Sequence, residues 1–346
     1  MSQPAVLVQD PRDRMRPLWG PLGRFLDDKL HDQRDAILVQ DALISTMLIP
    51  FGLLLFVPNV FSWPLGIVYL ALIIPRLGPT AVLLHMVSHR PLFNKTWSRL
   101  NHYIPWFMVL FYGMAPAGYI THHVGMHHVE ENVGPDTSAT LRYQRDSLWH
   151  FCLYWWRFQL IGKLELMVYL WRKRRFKLLR RLITGEVIHK SVLLMGALIS
   201  LPATLLVFVI PYVIVRWGLM MGNWCQHAFI EDSDPACAYR NSVTLINCSY
   251  NERFYNDGYH CGHHIKATAH WADAPAQFEA DVGNYARHHA VVFDGIRGFQ
   301  TMWTLLMRRR YDVLAEHLVP WPGGPQTLEE RMAFLKARTH PIREAT

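Results

Sequence analysis

Ala42-Leu43-Ile44-Ser45-Thr46-Met47-Leu48-Ile49-Pro50-Phe51-Gly52-Leu53-Leu54-Leu55-Phe56-Val57-Pro58-Asn59-Val60-Phe61 runs without a single charge. A helix needs about 20 apolar residues to cross a hydrocarbon core, so this stretch predicts a membrane span. A second apolar run, Trp63 to Leu84, follows at once, and Pro58, Asn59, Ser62 and Pro64 mark a turn between them. The pair predicts a transmembrane hairpin over 42–61 and 63–84. Arg76 stands inside its second arm. A lipid-facing arginine at midplane costs at least ~2.5 kcal/mol, so Arg76 is expected to face the bundle or to snorkel.

Outward from the hairpin, Tyr103 to Ile120 is apolar throughout, and Trp149 to Trp171 is aromatic but broken by Arg157, Lys163 and Glu165. The second of these suits a helix lying at the membrane interface. Arg172-Lys173-Arg174-Arg175-Phe176-Lys177-Leu178-Leu179-Arg180-Arg181 is the strongest positive cluster and reads as cytoplasmic. Ser191 to Met221 is then one continuous apolar block, long for one crossing and short for two straight ones, with Pro202 and Pro211 as possible breaks. Segment 1–40 carries no targeting signal. The chain of 346 residues is 51% hydrophobic and only 18% charged, which excludes a disordered protein and argues against a water-soluble one. Its net charge is 35 − 27 = +8; with so apolar a chain this points to a membrane surface, and no nucleic-acid partner is expected. Five cysteines without a CxxC pair make a disulfide framework improbable.

The chemistry lies in three histidine boxes. His85-Met86-Val87-Ser88-His89 has imidazoles at i and i+4; His123-Val124-Gly125-Met126-His127-His128 follows His122; and His260-Cys261-Gly262-His263-His264 is the third. Histidines at i, i+3 and i+4 of a helix point the same way. Eight imidazoles exceed one ion's needs, and two ions with four or five nitrogens each fit the number better. Imidazole suits iron, zinc, copper and nickel alike, so the ligand type leaves the metal open. A lone histidine in an apolar chain is ordinarily a core or surface residue; His31, His102, His150, His189, His317, His340 and the His288-His289 pair keep that reading. His122 and His270 stand between the two readings. Among nearby acids, Asp257, Glu130 and Glu131 are candidates to orient a ligating imidazole through its second nitrogen.

The boxes resemble the membrane-bound fatty-acid desaturase and hydroxylase superfamily, whose signature is HxxxH, then HxxHH or HxxxHH, then HxxHH. The separations, from 85 to 123 and from 123 to 260, are similar to that family. So is Asn223-Trp224-Cys225-Gln226-His227, which stands after the last apolar block and before the third box. The resemblance spans roughly Ala42 to His264. It implies two ferrous ions held by His85, His89, His123, His127, His128, His227, His260, His263 and His264, with Asn223 acting through water. Asp257 and His122 are weaker candidates at the edge of that shell.

Two ions cannot be shared across a bilayer, so an even number of crossings must separate each pair of boxes. Tyr103 to Ile120 must then be re-entrant or interfacial, and two crossings fall within about 189–204 and 205–222. The expected fold is one all-α integral membrane domain over 1–346, with about four transmembrane helices and a cytoplasmic helical cap holding the di-metal site. Segments 1–40 and 275–346, both termini and the active site are expected on the cytoplasmic side. The resemblance implies O2-dependent oxidation of an unactivated C–H bond in a fatty acyl chain, with desaturation first. Hydroxylation, or decarboxylation of free fatty acids to terminal alkenes, is the alternative. No Rossmann glycine pattern or haem motif occurs, so a separate electron donor of ferredoxin, rubredoxin or cytochrome b5 type, with its reductase, is expected beside the acyl substrate and membrane lipid. A non-enzymatic metal-binding membrane protein is the reading from another class, but transport sites usually lie at the midplane. A zinc hydrolase is disfavoured because no HExxH occurs.

Overall fold

Ser62 begins the second arm of the hairpin. Its side chain accepts from the backbone N–H of Leu65, and Pro64 occupies the first turn, where no intrahelical donor is lost. The helix then runs Trp63–His89. The computed structural model describes residues 6–12 and 20–342; what was expected of 1–5, 13–19 and 343–346 lies outside them. The described residues are mostly helical, and among them four helices are long and apolar enough to cross a membrane: Gln33–Leu54, Trp63–His89, Phe176–Ile199 and Leu201–Gln226. All five cysteines are free.

These helices differ in their bounds from the hydropathy reading. The first reaches back past Ala42 to include Asp41, and the reason is Arg76. The guanidinium Nη2 donates to Asp41 Oδ1 at 2.7 Å and to Ser45 Oγ at 3.3 Å, and Ser45 Oγ lies 3.1 Å from Thr80 Oγ1. Arg76 therefore faces a partner across the hairpin, which removes the cost of an unpaired charge. The third helix begins at Phe176 instead of near 189, so Lys177, Arg180 and Arg181 ride in its first turns. Charged residues end a membrane-compatible window but do not end a helix. The break before the fourth helix falls at Ser200, which accepts from the N–H of Ala203 while Pro202 follows.

The chain divides into two compact units: residues 13–125 with 167–219, and residues 1–12 with 126–166 and 220–346. In the first, the segment expected to be re-entrant or interfacial is a series of short turns: Tyr103–Trp106, Met108–Tyr112 and Gly118–His122. Gly113, at φ +72°, makes one of the breaks. At Gly185 the third helix passes so close that a Cβ would stand 1.8 Å from the carbonyl oxygen of Pro116. Only glycine permits that approach.

The second unit is built of loops and shorter helices around a parallel pair of strands, Thr244–Ile246 and Val292–Asp294, in register Thr244↔Val292. Its core gathers Val8, Ile246, Tyr259, Phe278, Val292 and Trp321. The fully buried Arg145 donates to six carbonyls, those of Thr140, Leu141, Tyr143, Ala228, Arg338 and His340. Burial pushes its guanidinium down to about 9, still cationic at neutral pH. The C-terminal helix Leu328–Ala337 starts with a capping box of Thr327 and Glu330.

Removing one partner of a buried ion pair strands the other, at about 3–5 kcal/mol, whereas replacing both by apolar residues is often neutral. Asp41→Ala should therefore destabilise strongly, and the Asp41→Leu/Arg76→Met double variant should recover most of the loss. Unfolding of the detergent-solubilised protein by denaturant checks both.

Candidate metal centre

The final turns of Trp63–His89 carry the first box. His85 and His89 stand one turn apart with ring centroids 5.4 Å apart, and His123 meets them at 4.6 Å from His85 and 4.9 Å from His89. Tyr119, one turn before His123, stacks on its ring at 5.0 Å. These residues all belong to the first unit.

The second box does not lie on a regular α-helix. After Gly118–His122 the chain widens into a π-turn over His123–His127 before resuming at His128–Glu130. A π-turn re-aims the side chains that follow it and recurs at functional sites. Arg175 Nη1 donates to the carbonyl of Gly125 within that turn at 2.7 Å. A Cβ at Gly125 would stand 3.0 Å from Leu178 Cδ1, so a small residue is needed there. His127 and His128 belong to the second unit.

In that unit His127, His227, His260 and His264, all buried, place one ring nitrogen each within 4.8 Å of all the others. His260 Nε2 lies 3.0 Å from both His227 Nε2 and His264 Nε2. His128 Nε2 and His263 Nε2 approach to 2.9 Å. Two of the four rings have their protons fixed from behind. His227 Nδ1 donates to the carbonyl of Asn241 at 3.0 Å, and His127 Nδ1 faces Asp136 Oδ2 at 2.8 Å. Their Nε2 lone pairs are therefore turned inward. Burial, and then the neighbouring His127, push His227 down to about 3; burial and the crowd of surrounding imidazoles push His264 down as well. Lone pairs turned inward, as at His127 and His227, and rings kept neutral by burial, as at His227 and His264, are what a cation's donor set requires. Metal–nitrogen bonds of about 2.0–2.1 Å match a group of this size.

Asp136 was not singled out in the sequence. It sits nine residues beyond His127 and is 1% exposed, and its other oxygen accepts from Ser138 N and Ser138 Oγ, both at 2.8 Å. No helical periodicity signals it, because a loop brings it back. Asp257 Oδ2 accepts from the Tyr250 hydroxyl at 2.6 Å. Burial raises the Glu131 carboxyl, whose backbone carbonyl accepts from Asn241 Nδ2. His122 is half-buried and is not among the gathered rings. His270 caps a short turn, its Nδ1 accepting from Ala272 N at 3.1 Å. Asn223 uses its amide nitrogen on Ser138 O at 2.9 Å and Tyr154 Oη at 2.8 Å, which leaves its carbonyl oxygen as the acceptor it can offer water.

Helices long and apolar enough to cross a membrane, with gathered imidazoles at their ends, define a histidine-rich membrane protein suited to a metal. The chain belongs to the fatty acid desaturase family, whose model matches residues 59–295. No curated protein and no solved structure matches it. Membership makes the chain an oxidoreductase of fatty acyl chains.

Partners that orient a ligating imidazole are commonly worth 10–100-fold in metal affinity. Asp136→Asn should weaken metal retention by about that factor while expression and helix content hold. Chelator competition on the purified protein measures it.

Proposed function

We propose that the chain is an O2-dependent fatty acyl desaturase with two iron ions. His127, His227, His260 and His264 hold one ion, and by the resemblance of the boxes His85, His89, His123, His128 and His263 also belong to the ligand set of the two irons. The observation that carries this reading is the buried four-imidazole group, two of whose rings have their protons fixed from behind, in a chain of the desaturase family. Bound iron would pass two electrons from the external carrier to O2, the oxidant whose reduction to water drives the breaking of an unactivated C–H bond.

The chain's own residues do the rest. Asp136 and the Asn241 carbonyl keep His127 and His227 in the tautomer that presents Nε2. Asn223 holds an acceptor toward water, with its amide anchored on Ser138 and Tyr154. Four crossings return the chain each time to one face, so the boxes and both termini lie in the cytoplasm with the basic run Arg172–Arg181. That run attracts an acidic electron carrier of ferredoxin, rubredoxin or cytochrome b5 type.

Purified protein should contain iron near two per chain. With acyl substrate and O2 alone it should barely turn over; a reductase with a small electron carrier should restore turnover, and added salt should slow it because exposed charges are screened over about 8–10 Å. The product should carry an internal double bond. An added oxygen would make it a hydroxylase, and a chain one carbon shorter with CO2 a decarboxylase. Full conversion without O2, or a protein that takes up no metal, would overturn the reading.

A further inference from the structure

Asp10 lies far outside the residues that the family model matches, yet it is 4% exposed and its carboxylate is fully engaged beside the third histidine box. Oδ2 accepts from the Tyr259 hydroxyl at 2.6 Å, from Asn247 N at 2.6 Å and from Asn251 Nδ2 at 3.0 Å; Oδ1 accepts from Cys248 N at 3.2 Å. One of these arms ends on Tyr259, just before His260, and a second reaches Gly258 through Asn251. Tyr259 is the residue from which the helix His260–Ile265 starts, and no side chain caps that start. Asn251, held by Asp10, accepts from Gly258 N at 2.9 Å through Oδ1, and a Cβ on Gly258 would meet that oxygen at 2.3 Å.

The strand of chain that carries Asp10 is tied down on both sides. Val8 is buried in the core with Tyr259 and Cys261. Pro11 O accepts from Asn256 Nδ2 at 2.7 Å, and Leu7 O from Asn247 Nδ2 at 2.9 Å. Asn247 and Asn256 both have positive φ, 53° and 55°, so these ties also hold the loop in a conformation that few residues adopt. A buried carboxylate with four donors is a strong clamp, because losing it would leave each donor unpaired in a dry site.

We propose that Asp10 is the positioning residue of the third histidine box. Acting through Tyr259 and Asn251, it sets where the His260–Ile265 helix begins, and hence where His260, His263 and His264 point. The consequence for the metal rests on the reading of that box given above.

The test uses the full-length protein in detergent. In Asp10→Asn the shape is kept, but an amide N–H₂ replaces one acceptor oxygen and faces donors. Backbone hydrogen exchange over 258–265, measured without added metal, should quicken about tenfold, while exchange over 63–84 stays as in the parent. Iron loaded into the variant should be lost to a chelator about ten times faster. The Mössbauer quadrupole splitting of isotopically enriched iron should change. Tyr259→Phe, which removes one hydroxyl and keeps the ring in the core, should move all three readouts in the same direction by less. Arg12→Ala, which removes an exposed pair with Glu279 on the same segment, should move none. If Asp10→Asn does not fold, Tyr259→Phe decides. Parent-like exchange in both variants, or quickened exchange with unchanged iron release and spectrum, overturns the proposal. A parent that takes up no iron sinks the metal reading instead, and the exchange measurement still decides whether Asp10 holds the box.

Discussion

Imidazoles that face one another without water between them are stable as a group only if each ring's proton is assigned. That constraint governs the second unit. Burial forbids the charged form of His227, so its single proton must sit on one nitrogen, and the Asn241 carbonyl draws it to Nδ1. Asp136 does the same for His127. Each assignment turns a lone pair toward the other rings. The two lone pairs so fixed lie in a group whose ring nitrogens are confined within 4.8 Å of one another, a set of acceptors that a cation satisfies. The support behind the rings matters as much as the rings, because without it the same histidines could satisfy one another by proton sharing and lose the inward-facing donors.

The spanning helices deliver these rings by being longer than a bilayer needs. Trp63–His89 has 27 residues and Leu201–Gln226 has 26; at about 1.5 Å per residue each extends some 40 Å, against a hydrocarbon core near 30 Å. The surplus turns carry His85 and His89 on one helix. On the other they carry Asn223, with His227 one residue past the end. Polar ligands can stand there without the penalty that Arg76 avoids only through Asp41. The ligand-bearing ends and the apolar middles thus belong to the same continuous helices, which fixes each ligand to a rigid support.

Legibility in the sequence followed periodicity. The boxes and the long apolar runs were readable because their spacing matches a helix and a bilayer. Asn223 and His227 were readable only through resemblance, since a single histidine after an apolar run has no pattern of its own. The helix bounds slipped where charge and helix end part company, at Asp41 and at Lys177 to Arg181. The π-turn within the second box was hidden because such a turn leaves no mark in residue spacing. Asp136, Asp10 and Arg145 were hidden for a different reason. Each acts on residues that only chain closure brings near, across nine positions for Asp136 and His127 and nearly 250 for Asp10 and Tyr259.

These hidden residues share a physical role. Thr140 shows how tightly they are linked: its hydroxyl donates to the carbonyl of His227, while its own carbonyl accepts from Arg145. Arg145 also takes the carbonyls of Arg338 and His340. The loop after the second box therefore holds His127 through Asp136 and the backbone of His227 through Thr140, and it binds the C-terminal segment through Arg145. Loops cannot rely on internal ladders to stay rigid, so a buried cation shared among six carbonyls supplies what a helix would get from its own hydrogen bonds. A metal centre with ligands from distant stretches of chain needs that kind of cross-link. The box pattern names the gathered histidines, and residues outside any box set the precision with which they meet.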